Sequence, residues 1–118
     1  MKYIYYFTLI FLFSLSNLHA DNHVKKKGYV VAFLDIQNEE IMTEYRKHIK
    51  PIVKEYRGKL IAASPPDFKE GYIPGSAAII EFPSYNDAQK WYNSEENQKA
   101  KAIRDKGVNT VLLILEGK

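Results

Sequence analysis

Apolar residues are distributed along the chain in two ways, one long block at the N-terminus and short segments of changing period after it. The block runs from Tyr3 to Leu15, with Thr8 and Ser14 its only clearly polar residues. Beyond a polar stretch, Gly28 to Ile36 (GYVVAFLDI) is aromatic and β-branched and predicts a strand. The period then changes to that of a helix. At about 100° per residue, Ile41, Met42, Tyr45, Ile49, Ile52, Val53 and Tyr56 share one arc of about 120°. Arg46, Lys47, Lys50, Lys54 and Arg57 fall opposite, so this helix is amphipathic with a basic outer face. Asn38 is placed to cap it, Glu39 and Glu40 suit its first turn, and Gly58 stands where a left-handed C-terminal cap belongs. Pro51 is expected to kink or split it near Lys50.

Lys59 to Ala63 predicts a short second strand, Ser64 to Gly75 a proline- and glycine-rich loop, and Ser76 to Phe82 a third strand. Ser84 with Asp87 three residues on comes close to a capping box for a helix whose inner face is Tyr85, Ala88, Trp91 and Tyr92. Asn93-Ser94 interrupts it, and a second helical piece spans Glu95 to Lys106 before Gly107. Asn109 to Glu116 (NTVLLILE) is the last strand. The order β-α-β-β-α-β is the ferredoxin-like arrangement, an α+β fold with a four-stranded antiparallel sheet.

Antiparallel sheets with one wet face alternate apolar and polar residues, and these strands do not. Tyr29, Val31 and Phe33 point one way and Val30, Ala32 and Leu34 the other; the third and last strands repeat the pattern. The helices can cover one face only. The other would leave an apolar patch of several hundred square ångströms, which soluble monomers rarely tolerate. Stacking on a second copy removes it, and a homodimer closed as a dimeric α/β barrel is the expected assembly.

The N-terminal block has the form of a targeting segment. Lys2 supplies a short positive region, and Leu18-His19-Ala20 places small Ala20 before polar Asp21-Asn22, which suits signal-peptidase cleavage. A retained membrane anchor is the competing reading, but a spanning helix needs roughly 20 apolar residues. This run is shorter and ends in Ser16, Asn17 and His19. The expected plan is a signal peptide at 1–20, a polar linker at 21–27 and a domain at 28–118, periplasmic or secreted in a bacterium. No membrane contact is expected after cleavage.

Composition then removes most chemistry. The chain has no cysteine, so an exported domain of this size must stand on packing without disulfides. Thiol nucleophiles and thiolate metal sites are excluded. Of the 3 histidines, His19 leaves with the signal peptide and His23 lies in the linker. A metal site built on several histidines is therefore not expected, and no cofactor is. No serine has a nucleophile-elbow context, and no glycine loop for phosphate or dinucleotide is present. The net charge of +3 is too small to imply nucleic acid, and none is expected as a partner.

Ile80-Glu81-Phe82-Pro83-Ser84, then Ala88, Trp91-Tyr92-Asn93-Ser94 and Arg104 resemble the bacterial family of domain of unknown function 1330, within the dimeric α/β-barrel superfamily. Asp35, Tyr45 and Tyr56-Arg57-Gly58-Lys59 add weaker support. The resemblance covers essentially the whole domain and implies a ferredoxin-like homodimer, with no established reaction. The wider superfamily includes cofactor-free monooxygenases, haem-degrading enzymes and isomerases, so fold narrows chemistry little. Asn97 stands where an aromatic commonly follows the W-Y-x-S segment, and Gly75-Ser76 replaces a basic residue often found before strand three.

Four residues form the candidate ligand pocket: Tyr45, His48, Trp91 and Arg104. His48 lies about 20° outside the apolar arc of the first helix. It reads as a boundary residue half in water, or as a proton carrier or axial haem ligand under the helix. Trp91 reads as core or as the wall of a ligand cavity. Arg104 reads as a charge favoured by a helix C-terminus, or as a carboxylate-binding group facing a cavity. No catalytic residue is assignable and whether the chain is an enzyme stays open. The favoured expectation is a domain enclosing a small apolar or aromatic ligand. A cofactor-independent monooxygenase or isomerase using Tyr45, His48 and Arg104 is the first alternative, and haem binding through His48 the second.

Overall fold

The computed structural model describes residues 25–118. The expected signal peptide at 1–20 and linker residues 21–24 lie outside them. The elements are β1 (Gly28–Ile36), α1 (Glu39–Glu55), β2 (Lys59–Ser64), β3 (Ser76–Phe82), α2 (Tyr85–Asn93), α3 (Glu95–Arg104) and β4 (Val108–Glu116). The sheet order is β2-β3-β1-β4, every neighbour antiparallel. This is the ferredoxin-like arrangement expected from the two periods. No helix among the described residues is long and apolar enough to cross a membrane.

The helices pack on one face of the sheet. Val30 and Ala32 of β1, Phe82 of β3 and Val108 of β4 are buried beneath them. One core cluster joins Val30, Phe82, Ala88 and Trp91, with the Phe82 and Trp91 rings 5.4 Å apart. A second joins Met42, Tyr45, Ala100 and Val108. Ile49 and Ile52 of α1 pack against both clusters, so the layer between helices and sheet is continuous.

The other face is apolar and open. Register sets Ile79 of β3, Val31 of β1 and Leu113 of β4 in one row across it, and Ala77, Phe33 and Val111 in the next. Val111, Leu113 and Leu115 are 49%, 38% and 53% exposed. The loop between β2 and β3 lays Phe68 against Phe33 at 6.4 Å, with Tyr72 edge-on to Phe68 at 5.4 Å. That loop ends at Gly75, whose φ of 103° and close approach to the Leu34 carbonyl leave no room for a side chain.

Local chemistry differs from expectation at three places. Asn38 caps α1 as expected, accepting from the N–H groups of Glu40 and Ile41. The helix then continues unbroken through Pro51 instead of splitting. Pro51 lies on the exposed side, so the bond it cannot donate leaves only the carbonyl of exposed Lys47 to water. At the C-terminus the left-handed residue is Arg57, φ 63°, and not Gly58. Arg57 N–H donates to Lys54 and Gly58 N–H to Val53, both at 2.9 Å, the pattern of a Schellman cap. Gly58 is required for space instead, since a Cβ there would meet Phe82 and Val53 at 2.8 Å. The described part of the expected solvated linker, Lys25 to Lys27, is exposed, and its backbone is also tethered from Lys26 onward. The carbonyls of Lys26 and Lys27 accept the Tyr85 and Gly117 N–H groups at 3.1 and 2.8 Å.

Candidate functional site

Ser94 breaks the second helical region and thereby sets where α3 points. Its hydroxyl donates to the Trp91 carbonyl at 2.8 Å, closing α2, and accepts the Asn97 N–H at 3.1 Å, opening α3. Asn97 is buried, and its Nδ2 donates to the Tyr92 carbonyl at 2.9 Å. α3 then carries Ala100 into the second core cluster and ends with Arg104 packed on Tyr45 of α1.

The Tyr45–Arg104 pair is the chemical centre of this layer. Both residues are buried, 7% and 5% exposed, and the Arg104 guanidinium carbon lies 5.5 Å from the Tyr45 ring centroid. Among the described residues the one ion pair of Arg104 is with adjacent Asp105, at 3.3 Å, and Asp105 is shared with Lys101 at 2.8 Å. Burial pushes the Tyr45 phenol above its ordinary value, and the Arg104 charge and hydrogen bond oppose this without cancelling it. Burial also pushes the Asp105 carboxyl up, but the Lys101 hydrogen bond and the Arg104 charge outweigh it and hold it low.

Among the described residues, two buried side-chain atoms in the same helix–sheet layer have no hydrogen-bond partner, Trp91 Nε1 and Thr110 Oγ1. Trp91 is 1% exposed. Thr110 lies opposite Leu34, which packs against the Tyr45 cluster, so its hydroxyl faces the helices. Buried polar groups are ordinarily hydrogen-bonded, and leaving one unpaired costs about 1–3 kcal/mol. The unpaired Trp91 N–H and Thr110 hydroxyl are groups that an acceptor-bearing guest could satisfy.

Of the four expected pocket residues, the structure brings Tyr45 and Arg104 together. Trp91 stands in the neighbouring cluster, linked through Ile49 and Ile52. His48 is apart from them. It is exposed, its Nε2 3.8 Å from Glu44, in a shallow groove of about 520 Å³ lined also by Glu39, Glu40, Thr43 and Lys47. That groove is outside α1 and three carboxylates line it, so the enclosed haem pocket under the helix is not what His48 faces. Among the described residues no group of three or more His, Cys, Asp or Glu could hold a metal ion. Sequence reasoning missed Thr110 and the packing role of Asn97. Thr110 shares the parity of Val108 and Leu112, and that parity was its only signal.

Solved structures similar to this chain share its fold at low identity. A protein of unknown function from Rhodopseudomonas palustris has a TM-score of 0.67 at 13% identity, over 89% of this chain and 92% of that one. A dimeric ferredoxin-like protein of unknown function from Jannaschia sp. CCS1 has a TM-score of 0.59 at 11% identity, over 76% and 98%. A cofactor-independent oxygenase from Streptomyces nogalater has a TM-score of 0.51 at 5% identity, over 79% and 94%. These likenesses establish the fold alone. A comparison with curated proteins finds no match. The residue profile of the family described as a domain of unknown function (DUF1330) matches residues 27–118, and the chain belongs to that family.

Proposed function

We propose that this chain is an exported, homodimeric domain that binds a small aromatic or apolar molecule carrying a carboxylate or similar acceptor. The observation that carries the ligand reading is the buried Arg104 guanidinium beside the Tyr45 ring; its one acid among the described residues, Asp105, is shared with Lys101. A ligand carboxylate would add a second acceptor and take the guanidinium in bidentate form. The unpaired Trp91 N–H and Thr110 hydroxyl support the same chemistry. The open apolar sheet face supports a dimer, as do structural neighbours described as dimeric. The N-terminal apolar block supports export, and mass analysis of protein produced from the full chain in a bacterial host tests it: the mature chain should begin at Asp21.

Trp91 is the single tryptophan and so reports on this layer directly. Titration with benzoate is expected to change its emission saturably, and Arg104→Gln to abolish the change. Calorimetric titration checks that the optical change is binding. A flat response to benzoate in both measurements sinks the ligand reading.

A second reading is favoured by one observation, the Tyr45 phenol held against a guanidinium in a fold shared with a cofactor-independent oxygenase. It expects oxygen uptake with a naphthol probe that Tyr45→Phe removes while the fold persists. No uptake by the folded wild-type protein discards it for that substrate class.

A further inference from the structure

The charged residues are sorted along the length of the sheet. Gly28↔Phe82 and Gly28↔Glu116 place the start of β1 beside the ends of β3 and β4, and the close approach of Gly58 to Phe82 brings the end of α1 there too. Lysines gather at this end. Lys25, Lys26, Lys27 and Lys118 rim a groove of about 400 Å³ that Tyr29 and Gly117 also line. The Lys26 and Lys27 carbonyls accept the Tyr85 and Gly117 N–H groups, so these lysines are fixed to the sheet end. Lys59 opens β2 beside them, in register with Glu81. On α1, exposed Lys47, Lys50, Lys54 and Arg57 share about 80° of arc with no acid among them, and the stripe leads to the same end. The acids here are Glu55, Glu81, Asp87 and Glu116, of which Lys27 and Arg57 hold two at 3.2 and 3.4 Å. The cations outnumber them. At the opposite end stand Asp35, Glu39, Glu40, Asp67, Glu70 and Asp105, against Lys69, Lys101, Arg104 and Lys106. A small net charge conceals this separation.

We propose that the basic end is a docking surface for anionic phospholipid, which holds the exported domain at a membrane face with its acidic end outward. The placement of the N-terminal block favours lipid over other polyanions: the block ends at Leu15, and the chain enters the described domain at Lys25, on the basic end. Tyr29 adds an aromatic ring with a polar tip, of the kind that sits among lipid headgroups. The expected plan gave the mature chain no membrane contact; the placement of charge, which net charge hides, supplies one. This surface shares export with the function proposed above and is independent of the ligand.

Vesicle binding tests it. Both core clusters lie within residues 28–118, so the mature chain from Asp21 holds the whole fold and is the form to use. It should co-sediment with phosphatidylglycerol vesicles and not with phosphatidylcholine vesicles. Raising salt from about 0.1 M to about 1 M shortens the screening length from about 10 Å to about 3 Å and should release it. A lysine close to an anionic surface changes partition about five-fold, so Lys25→Gln combined with Lys118→Gln should weaken it roughly 25-fold. Lys69→Gln combined with Lys106→Gln removes the same charge from the acidic end and should change partition by less than about two-fold. Absence of partition onto phosphatidylglycerol, or equal effects from the two pairs, overturns the oriented surface. Equal partition onto phosphatidylcholine overturns it as well and assigns the contact to the open apolar face. Tighter binding to a DNA duplex than to the vesicles overturns the lipid and puts nucleic acid in its place.

Discussion

Replacing Leu113 by aspartate probes the open sheet face with little confounding effect on the protomer. Leu113 is 38% exposed on the protomer, between Val111 at 49% and Leu115 at 53%. Complete burial of such a side chain yields about 2 kcal/mol, so the fraction left to a partner is about 0.8 kcal/mol for Leu113. All three side chains together hold about 3 kcal/mol per protomer, twice that across a two-fold. Leu113→Asp removes its share on both sides and sets two short carboxylates facing each other in an apolar layer, where neither reaches water. The expected weakening of the dimer is at least about 100-fold. Sedimentation equilibrium reads it directly. Thermal unfolding gives a second reading, because the wild-type midpoint should rise with protein concentration and the variant's should not. A variant that dimerises with unchanged affinity, or a wild-type midpoint independent of concentration, refutes the face as an interface.

Phe82→Ala should cost about 3–5 kcal/mol in denaturant unfolding, because Phe82 is wholly buried against Trp91 and the space cannot be refilled. The contribution of Tyr45 to stability should be full below the ordinary tyrosine value of 10.0 and be lost as pH climbs from there through the higher value of folded Tyr45. Denaturation midpoints on both sides of that value should show a smaller fall in Tyr45→Phe. Ser94→Ala removes the hydroxyl that closes α2 and opens α3, and should cost about 1 kcal/mol in the same unfolding assay. Gly58→Ala should destabilise by about 1–3 kcal/mol through overpacking against Phe82, read as a lower unfolding midpoint.

The fold was legible because each element carries its own period. β1 and β3 have the expected bounds, and β2, α3 and β4 shift by two residues or fewer. What was not legible is non-local. Tyr45 and His48 share a helix, yet a small angular difference buries one and exposes the other, and only packing against α3 decides how wide the covered arc is. That Tyr45 meets Arg104 depends on α1 and α3 lying side by side, which no local pattern encodes. Lys25-Lys26-Lys27 is exposed, as its composition suggests, and the backbone bonds from Tyr85 and Gly117 that also tether it leave no trace in its side chains. Gly58 looked like a conformational residue and is a spatial one, because its neighbour Phe82 arrives from a strand two elements later.

Ser94 gives the helical layer a fulcrum. One hydroxyl fixes the angle at which α3 departs from α2, and Arg104 sits at the far end of that helix, about 15 Å away at 1.5 Å per residue. A swing of only about 10° there would carry the guanidinium some 2.5 Å, enough to lift it off the Tyr45 ring. The aim of the buried charge is therefore governed by a residue that never touches it, and variation around Ser94 would retune the Arg104 environment without altering any side chain that lines it.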